Sequence, residues 1–128
     1  FLERVDQATL AQIFQRARVV MVPSVYEPLG QVAIEAMMCG ACVVASRTGG
    51  LREIVECGHS GLLATPGDAR EFAAATIHLL ASDHARGLLS ERAYSMANTQ
   101  FNMSICSSAY QAAYREMVAA TQVSDVNP

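Results

Sequence analysis

The sequence predicts an α/β fold, in which short buried strands alternate with helices to form part of a doubly wound parallel sheet, followed by further helices at the C-terminus. Two observations lead to this prediction. Apolar runs of about four residues, rich in β-branched side chains, recur between segments of helical period. Beyond Leu80 no such run follows, and only helical patterns remain. Strands that alternate with helices are typical of βαβ units, whose parallel sheet carries helices on both faces.

Periodicity, proline and glycine define the first four elements. Asp6 is the expected N-cap of the first helix, and Pro23 ends a first strand that we expect to be buried on both faces. Gly40 stops the second helix. The predicted bounds are a helix over 6–17, a strand over 19–22, a helix over 31–39 and a strand over 42–45.

Turn residues define the remaining elements. Thr48-Gly-Gly50 turns the chain into a short helix, and Pro66-Gly-Asp68 combines a turn with the N-cap of a longer one. The predicted bounds are a helix over 51–56, a strand over 61–64, and helices over 69–81, 83–97 and 103–120.

These elements amount to half of a doubly wound domain. We expect one domain over residues 1–121, a flexible tail over 122–128, and a remnant of a fourth strand in Phe1 and Leu2. The first complete strand then forms an open apolar edge, which stable proteins normally cover. We therefore expect either that the natural polypeptide is longer or that this edge pairs with another copy in a homo-oligomer.

Composition argues against several classes of partner. The chain is 52% hydrophobic over 128 residues and carries a net charge of −3. Its nine basic residues are all arginine and are scattered singly, so no basic stripe is present to bind nucleic acid or an anionic membrane. No apolar run approaches the roughly 20 residues that a transmembrane segment needs, and no signal-peptide pattern is seen. We expect a cytoplasmic protein.

The motif Cys39-Gly-Ala-Cys42 has the spacing of redox sites and of half a zinc site. Cys39 is expected to close a helix and Cys42 to open a strand, and the helix dipole opposes a thiolate at that end. No second pair of cysteine or histidine ligands follows at metal-binding spacing. We interpret both thiols as small buried side chains and expect no metal.

The stretch from Tyr26 to Gly40 keeps two acids in apolar surroundings. Gln31 and Glu35 are the only polar residues of the second helix, and their i, i+4 spacing places them on one face. An ionised carboxylate among apolar neighbours is costly unless it is paired or solvated, so we expect this face to line a cleft. The structural alternatives are that Glu35 pairs with an arginine and that Glu27 caps the helix.

The N-terminus of this helix is expected at the carboxyl edge of the sheet, where open α/β folds bind their ligands. Free backbone amides there can bind a phosphate, and the two carboxylates on either side are good acceptors for vicinal hydroxyls. A nucleotide sugar, which carries phosphate between two diols, satisfies all of these groups. The amides concerned are those of Leu29, Gly30, Gln31 and Val32.

Several short motifs with fixed spacings run from about residue 8 to residue 80. They are Pro23-Ser24, Glu27-Pro-Leu-Gly30, Glu35-Ala-Met37, Val43-Val-Ala-Ser46, Gly49-Gly50, Glu53-Ile-Val55, Gly61-Leu-Leu63 and Pro66-Gly-Asp68. Together they resemble the Rossmann-like C-terminal domain of the group 1 (family 4) glycosyltransferases, which are retaining enzymes of the two-domain GT-B fold. The E-x7-E pair of Glu27 and Glu35 is the centre of the resemblance.

The resemblance implies transfer of a glycosyl unit from a nucleoside-diphosphate sugar to an acceptor, with retention at the anomeric carbon. It implies that Glu27 is a catalytic residue that contacts donor-sugar hydroxyls, and that Glu35 holds the ribose hydroxyls. No cofactor and no metal are implied, because the helix N-terminus and positive side chains stabilise the departing diphosphate. The implied donor-binding residues are Leu29, Gly30, Gln31, Val32 and Glu35.

The chain departs from the family pattern in ways that affect function. Leu29 stands where phenylalanine is usual, and Cys42 stands where proline is common. The family's diphosphate-binding basic residues lie upstream of this segment, this chain has no lysine, and the acceptor-binding N-terminal domain is missing. We therefore expect the isolated chain to hold part of a donor without turnover.

Two further interpretations stay open. A non-catalytic α/β scaffold or self-association module would keep the fold but would not need Glu27 and Glu35. Arg47 and Arg52 flank the Gly49-Gly50 turn, so each is either a phosphate contact or a solvated surface charge.

Overall fold

The computed structural model describes the backbone of residues 3–124 and the side chains of residues 3–119. Phe1 and Leu2, predicted as a strand remnant, and residues 125–128 of the predicted tail lie outside these limits. The elements are α1 (Gln7–Arg16), β1 (Val20–Val22), α2 (Gln31–Met38), β2 (Val43–Ser46), α3 (Leu51–Ile54), β3 (Leu62–Ala64), α4 (Ala69–Ala81), α5 (Asp83–Gln100) and α6 (Met103–Ser124).

The strands form a parallel sheet in the order β1-β2-β3, which confirms the predicted α/β class. Val44 and Ala64 face α4 and pack with its Phe72 and Leu79 in a buried core. Because neighbouring strand residues point to opposite faces, Val43 is directed to the other side, where α2 packs on β1 and β2. Helices therefore cover both faces of the sheet, as predicted.

Strand β1 lies at an edge of the sheet, also as predicted. The prediction that it is buried on both faces is wrong, because Met21 is 46% exposed although Val22 is buried. Met21 pairs in register with Val44, so it points to the α4 face, and α4 packs mainly on β2 and β3. The outermost strand is thus only half covered on that face.

The helix termini follow the predicted capping residues. The Asp6 carboxylate accepts the Thr9 N–H at 2.8 Å, and the Asp68 carboxylate accepts two N–H groups at the start of α4. Helix α2 ends with the paired hydrogen bonds of a Schellman motif, in which Gly40 N–H donates to Met37 and Ala41 N–H donates to Ala36. These contacts satisfy polar groups that each helix leaves open at its ends.

A carboxylate that secures the connection between β3 and α4 gives a pH-dependent prediction. Hydrogen bonds from the side chain and backbone of Thr65 hold the pKa of Glu71 below its ordinary value of 4.5. The folded chain therefore binds this proton less readily than the unfolded chain. The resulting stabilisation is present above pH 4.5 and is lost as the pH falls through the lowered pKa.

We expect the Glu71→Gln variant to show a shallower decrease in the free energy of unfolding between roughly pH 5 and pH 3 than the unchanged protein. Urea unfolding followed by circular dichroism at each pH measures this difference. The same replacement at Glu91, an exposed residue of α5, is the control. Identical pH profiles for the Glu71 variant and the unchanged protein would refute the assignment.

The chain divides into two compact units, with the boundary between Ala97 and Asn98. The first unit contains the sheet, and the second contains α6, which continues to Ser124 and so includes residues 122–124 of the predicted tail. The single domain predicted over residues 1–121 stays a prediction. Among the residues searched, none of the helices is both long enough and apolar enough to cross a membrane.

Candidate functional site

The candidate site is formed where β1 and β2 end, at the carboxyl edge of the sheet. The loop after β1 carries Glu27 and leads into α2, and the loop after β2 carries Gly49 and leads into α3. A hydrogen bond of 3.0 Å from Gly50 N–H to the Glu27 carbonyl joins the two loops. Neighbouring parallel strands thus present their loops side by side, where open α/β sheets bind ligands.

The Glu27 carboxylate holds its own loop in shape. Oε1 accepts the Gly30 N–H at 2.9 Å, and Oε2 accepts no hydrogen bond from the described residues. The side chain is half-buried. Glu27 therefore holds the turn that precedes α2, through the N–H of the N-cap residue, rather than capping the helix itself, and it still has one oxygen available to a ligand.

Gly30 is the N-cap of α2 and adopts a left-handed conformation with φ of 89°. A Cβ atom here would lie 2.7 Å from Leu51 Cδ2, so both the conformation and the space favour glycine. The sequence-based expectation that the Gly30 amide is a free donor is wrong, because Glu27 accepts it. Gly30 contributes the turn rather than a phosphate contact.

The close contact between the two loops was not predicted from the sequence. A Cβ atom on Gly49 would lie 2.0 Å from the Glu27 carbonyl oxygen, and one on Gly50 would lie 2.5 Å from the Leu29 carbonyl oxygen. Backbone therefore packs directly on backbone at this point. Only the Gly-Gly dipeptide hinted at it, since such a pair marks either a turn or a close approach.

Two amides at the start of α2 remain as donors. Ala33 and Ile34 donate to the Gly30 carbonyl at 2.9 and 3.2 Å, so the intrahelical ladder begins with them. Gln31 and Val32 precede it, and no side chain caps this helix. Both residues are exposed, as is Leu29 at 58%. The helix N-terminus thus presents free N–H groups, with the positive end of the helix dipole behind them.

Glu35 lies one turn further along α2 and is half-buried. It lines an apolar groove of about 190 Å³ between α1 and α2, together with Gln7, Leu10 and Phe14. Among residues 3–119, no arginine or histidine forms an ion pair with it. The structure thus gives no support to the alternative of a buried acid paired with arginine. Glu35 faces a groove, but neither Gln31 nor Glu27 lines it, so the cleft expected along the face of Gln31 and Glu35 stays a prediction.

The cysteine motif lies away from this edge. Cys39 caps the C-terminus of α2, and Cys42 is buried immediately before β2, where burial raises the pKa of its thiol to about 11. Within the part of the chain that the structure describes, no cluster of three acidic, histidine or cysteine side chains is arranged to hold a metal ion. The thiol of Cys42 is part of the core, as the sequence predicted, whereas Cys39 is only half-buried, so the prediction that both thiols are buried is wrong for Cys39.

The parallel sheet, the glycine-rich contact between its loops and the open helix N-terminus define a Rossmann-like α/β domain, a fold in which ligands bind at the carboxyl edge of the sheet. Sequence comparison identifies the family. The family described as "Glycosyl transferases group 1" matches residues 1–82. The chain belongs to this family, which confirms the resemblance seen in its motifs.

Curated relatives include two enzymes with closely related names. D-inositol 3-phosphate glycosyltransferase of Geodermatophilus obscurus is 38% identical over 122 residues, which are 95% of this chain and 27% of that protein. D-inositol 3-phosphate glycosyltransferase 2 of Catenulispora acidiphila is 44% identical over 84 residues, or 66% of this chain and 20% of the relative. The chain thus spans 20% and 27% of the length of these relatives.

Solved structures share the fold. Sucrose-phosphate synthase from Thermosynechococcus elongatus has a TM-score of 0.89 and 38% identity, over 94% of this chain and 30% of that one. HepE of Anabaena in complex with UDP-glucose has a TM-score of 0.72 and 31% identity, over 84% and 30%. The C-terminal domain of LpcC, a group 1 family glycosyl transferase from Francisella tularensis, has a TM-score of 0.74 at 21% identity, over 80% and 53%. The fold is therefore part of a GT-B C-terminal domain.

Proposed function

We propose that this chain is the nucleotide-sugar-binding part of a retaining glycosyltransferase, which transfers a glycosyl unit from a nucleoside-diphosphate sugar to an acceptor. One observation carries the proposal. The loop from Glu27 to Val32 is fixed by its own hydrogen bonds, yet it leaves a carboxylate oxygen and the first amides of α2 unpartnered among the described residues. Family membership supports the same function.

The donor would be held from three sides. The amides of Gln31 and Val32 would donate to phosphate oxygens, where the helix N-terminus favours negative charge. Glu35 would accept hydrogen bonds from the ribose hydroxyls, and Oε2 of Glu27 would accept them from the sugar. Carboxylates suit hydroxyls because a charged acceptor forms the shorter and stronger hydrogen bonds. Leu29, exposed beside these groups, would form a wall of the sugar pocket.

Catalysis would follow from placement rather than from covalent chemistry by this chain. Negative charge develops on the diphosphate as the glycosyl bond breaks, and fixed amides stabilise that charge without reorganisation. Glu27 would hold the sugar so that its anomeric carbon faces the incoming acceptor. The acceptor site and further basic groups would come from residues outside this chain, so we propose that the 128 residues alone do not turn over.

The comparisons favour uridine nucleotides as the first donors to test. The Anabaena protein HepE was solved in complex with UDP, with UDP and glucose, and with UDP-glucose. The proposed reaction needs no metal and no cofactor, and we propose a cytoplasmic location. Self-association through the edge of β1 stays a prediction.

The test is an amide-resolved NMR titration with UDP-, GDP- and ADP-sugars. We expect shifts at Leu29, Gln31 and Val32 with at least one donor, and loss of these shifts in the Glu35→Ala variant. Glu91→Ala, which removes an exposed carboxylate from α5, is the matched control and should leave them unchanged. A folded sample that responds to none of the donors would contradict a donor site in this chain and favour the scaffold.

A further inference from the structure

A cavity of about 270 Å³ lies at the amino edge of the sheet, which is the end where the strands begin and is opposite to the proposed donor site. Arg18 lies shortly before β1 and Cys42 directly before β2, and the first turns of α5 close the cavity. We call it the amino-edge cavity. Its polar side chains are those of Gln15, Arg16, Arg18, Asp83, Arg86 and Ser90.

The amino-edge cavity concentrates positive charge. Three of the nine arginines of the chain line it, and Asp83 is the only carboxylate among the described residues that do so. Arg86 is distant from Arg16 and Arg18 in the sequence, so only the fold brings these side chains together. Three positive charges against one negative charge leave an excess of two, in a chain whose net charge is −3.

Helix ends offset this excess only in part. The C-terminal ends of α1 and α2 lie at the cavity, since Arg16 and Gly40 line it, and each contributes about half of one negative charge. The N-terminus of α5, which begins at Asp83, contributes about half of one positive charge. The arginines therefore supply more positive charge than the helix ends require.

Arg86 is held firmly in position. Its Nη1 donates to the Leu79 carbonyl at 3.1 Å and its Nη2 to the Asp83 carboxylate at 2.7 Å, and the side chain is only 18% exposed. Arg18 donates to the same oxygen of Asp83. Two guanidinium groups thus share one carboxylate oxygen, so they lie side by side and are not fully neutralised. Their orientation is set before any ligand arrives, which lowers the entropic cost of binding.

The three arginines also keep hydrogen-bond donors for a ligand. A guanidinium carries five N–H groups in a planar fork that matches the oxygens of a phosphate. Arg86 uses two of these groups in the contacts described above, and Arg18 uses one. Arg16 is exposed, and no residue among 3–119 accepts a hydrogen bond from its side chain or forms an ion pair with it.

We propose that the amino-edge cavity is a second ligand site of this chain, which binds a phosphate group, either as inorganic phosphate or as the phosphate monoester of a small molecule. A phosphate group carries a charge of about −1.5 to −2 at pH 7, which suits the positive excess of the cavity. The three arginines donate to its oxygens in charge-assisted hydrogen bonds. The site shares no residue with the proposed donor site and does not depend on it.

The experiment is an amide-resolved NMR titration with inorganic phosphate, in which sodium chloride keeps the ionic strength constant so that general screening does not change. We expect saturable shifts at the amides of Arg18 and Gly87. Arg18→Gln should weaken binding about ten-fold, the effect of one charge-assisted hydrogen bond. Arg70→Gln, which removes an exposed charge at the start of α4, is the matched control and should change the affinity less than two-fold.

A variant with the opposite expected effect keeps the test decisive if Arg18→Gln fails to fold. Asp83→Asn removes the one carboxylate of the cavity and keeps an acceptor for the arginines. It should tighten phosphate binding about five-fold, as expected when one nearby like charge is removed at a solvated site. Weaker or equal binding by Asp83→Asn would contradict the proposal.

A parallel titration with glucose 6-phosphate distinguishes the two sources of the phosphate group. Tighter binding than that of inorganic phosphate would support the site and assign it to a phosphate monoester, whose hydroxyls Gln15 and Ser90 can contact. Equal affinity would support the site and assign it to inorganic phosphate. Shifts that do not saturate, that are confined to the amides of α2, or that Arg18→Gln leaves unchanged would overturn the proposal, and none of these results would affect the donor site.

Discussion

Replacing Gly49 with alanine is expected to lower the free energy of unfolding by about 3 kcal/mol or more. The new Cβ atom would lie 2.0 Å from the Glu27 carbonyl oxygen, which belongs to backbone that a rotamer change cannot move. The residue also adopts φ of 44°, a backbone conformation that is strained for every residue type except glycine. The two loops must separate to accept the substitution, so the shape of the site should be lost together with stability.

Gly58 offers a matched control for this prediction. It has φ of 80° but meets nothing within 4 Å, so Gly58→Ala should show only the conformational penalty of about 1 to 2 kcal/mol. Urea unfolding gives both values, and the difference between them measures the contact between the loops. Equal losses for the two variants would mean that the loops do not pack as closely as described.

The second large effect is expected at Glu27, where two substitutions separate structure from ligand binding. Glu27→Ala removes the acceptor of the Gly30 N–H, and Gly30 is buried, so the free energy of unfolding should fall by about 1 to 3 kcal/mol. Glu27→Gln keeps an acceptor oxygen at the same position but not the negative charge. Its stability should stay within about 0.5 kcal/mol of that of the unchanged protein.

The affinities of these two variants for ligands give a second comparison. Both lose the charged acceptor for sugar hydroxyls, so each should bind UDP-glucose about ten-fold more weakly, and Glu27→Gln should bind UDP as before. Titrations with both ligands, followed at the amides of Gln31 and Val32, measure the two affinities. If Glu27→Gln binds UDP-glucose as tightly as the unchanged protein does, Glu27 only holds the turn that precedes α2.

The sequence predicted most elements of this fold because local signals were strong. Asp6 and Asp68 act as N-caps where they were expected, and the Schellman motif that includes Gly40 closes α2 one residue from the predicted end. These features depend on contacts within a few residues, which spacing and residue type specify. The parallel order of the strands followed from their alternation with helices.

Features that depend on contacts between distant parts of the chain were harder to predict from the sequence. The exposure of Met21 depends on where α4 lies relative to β1, and a three-residue strand has too few positions to indicate it. The engagement of Gly30 N–H depends on the rotamer of Glu27, which spacing does not determine. The side chain of Arg47 donates a hydrogen bond to the carbonyl of Leu63, a residue of β3, and the position of Arg47 in the sequence does not indicate this contact.

The order of the strands also bears on how the chain folds. Each strand pairs with the strand that follows it along the sequence, so every pairing closes a short loop, and short closures lose less entropy and form faster than long ones. Val44 and Leu62 are 18 residues apart in the sequence, and Val20 and Val43 are 23 apart, so loop closure favours the pairing of β2 with β3 at least as much as that of β1 with β2. Glu27 follows β1 and Gly49 follows β2, so their contact joins the ends of the first pair. We expect this contact to form together with the pairing of β1 and β2.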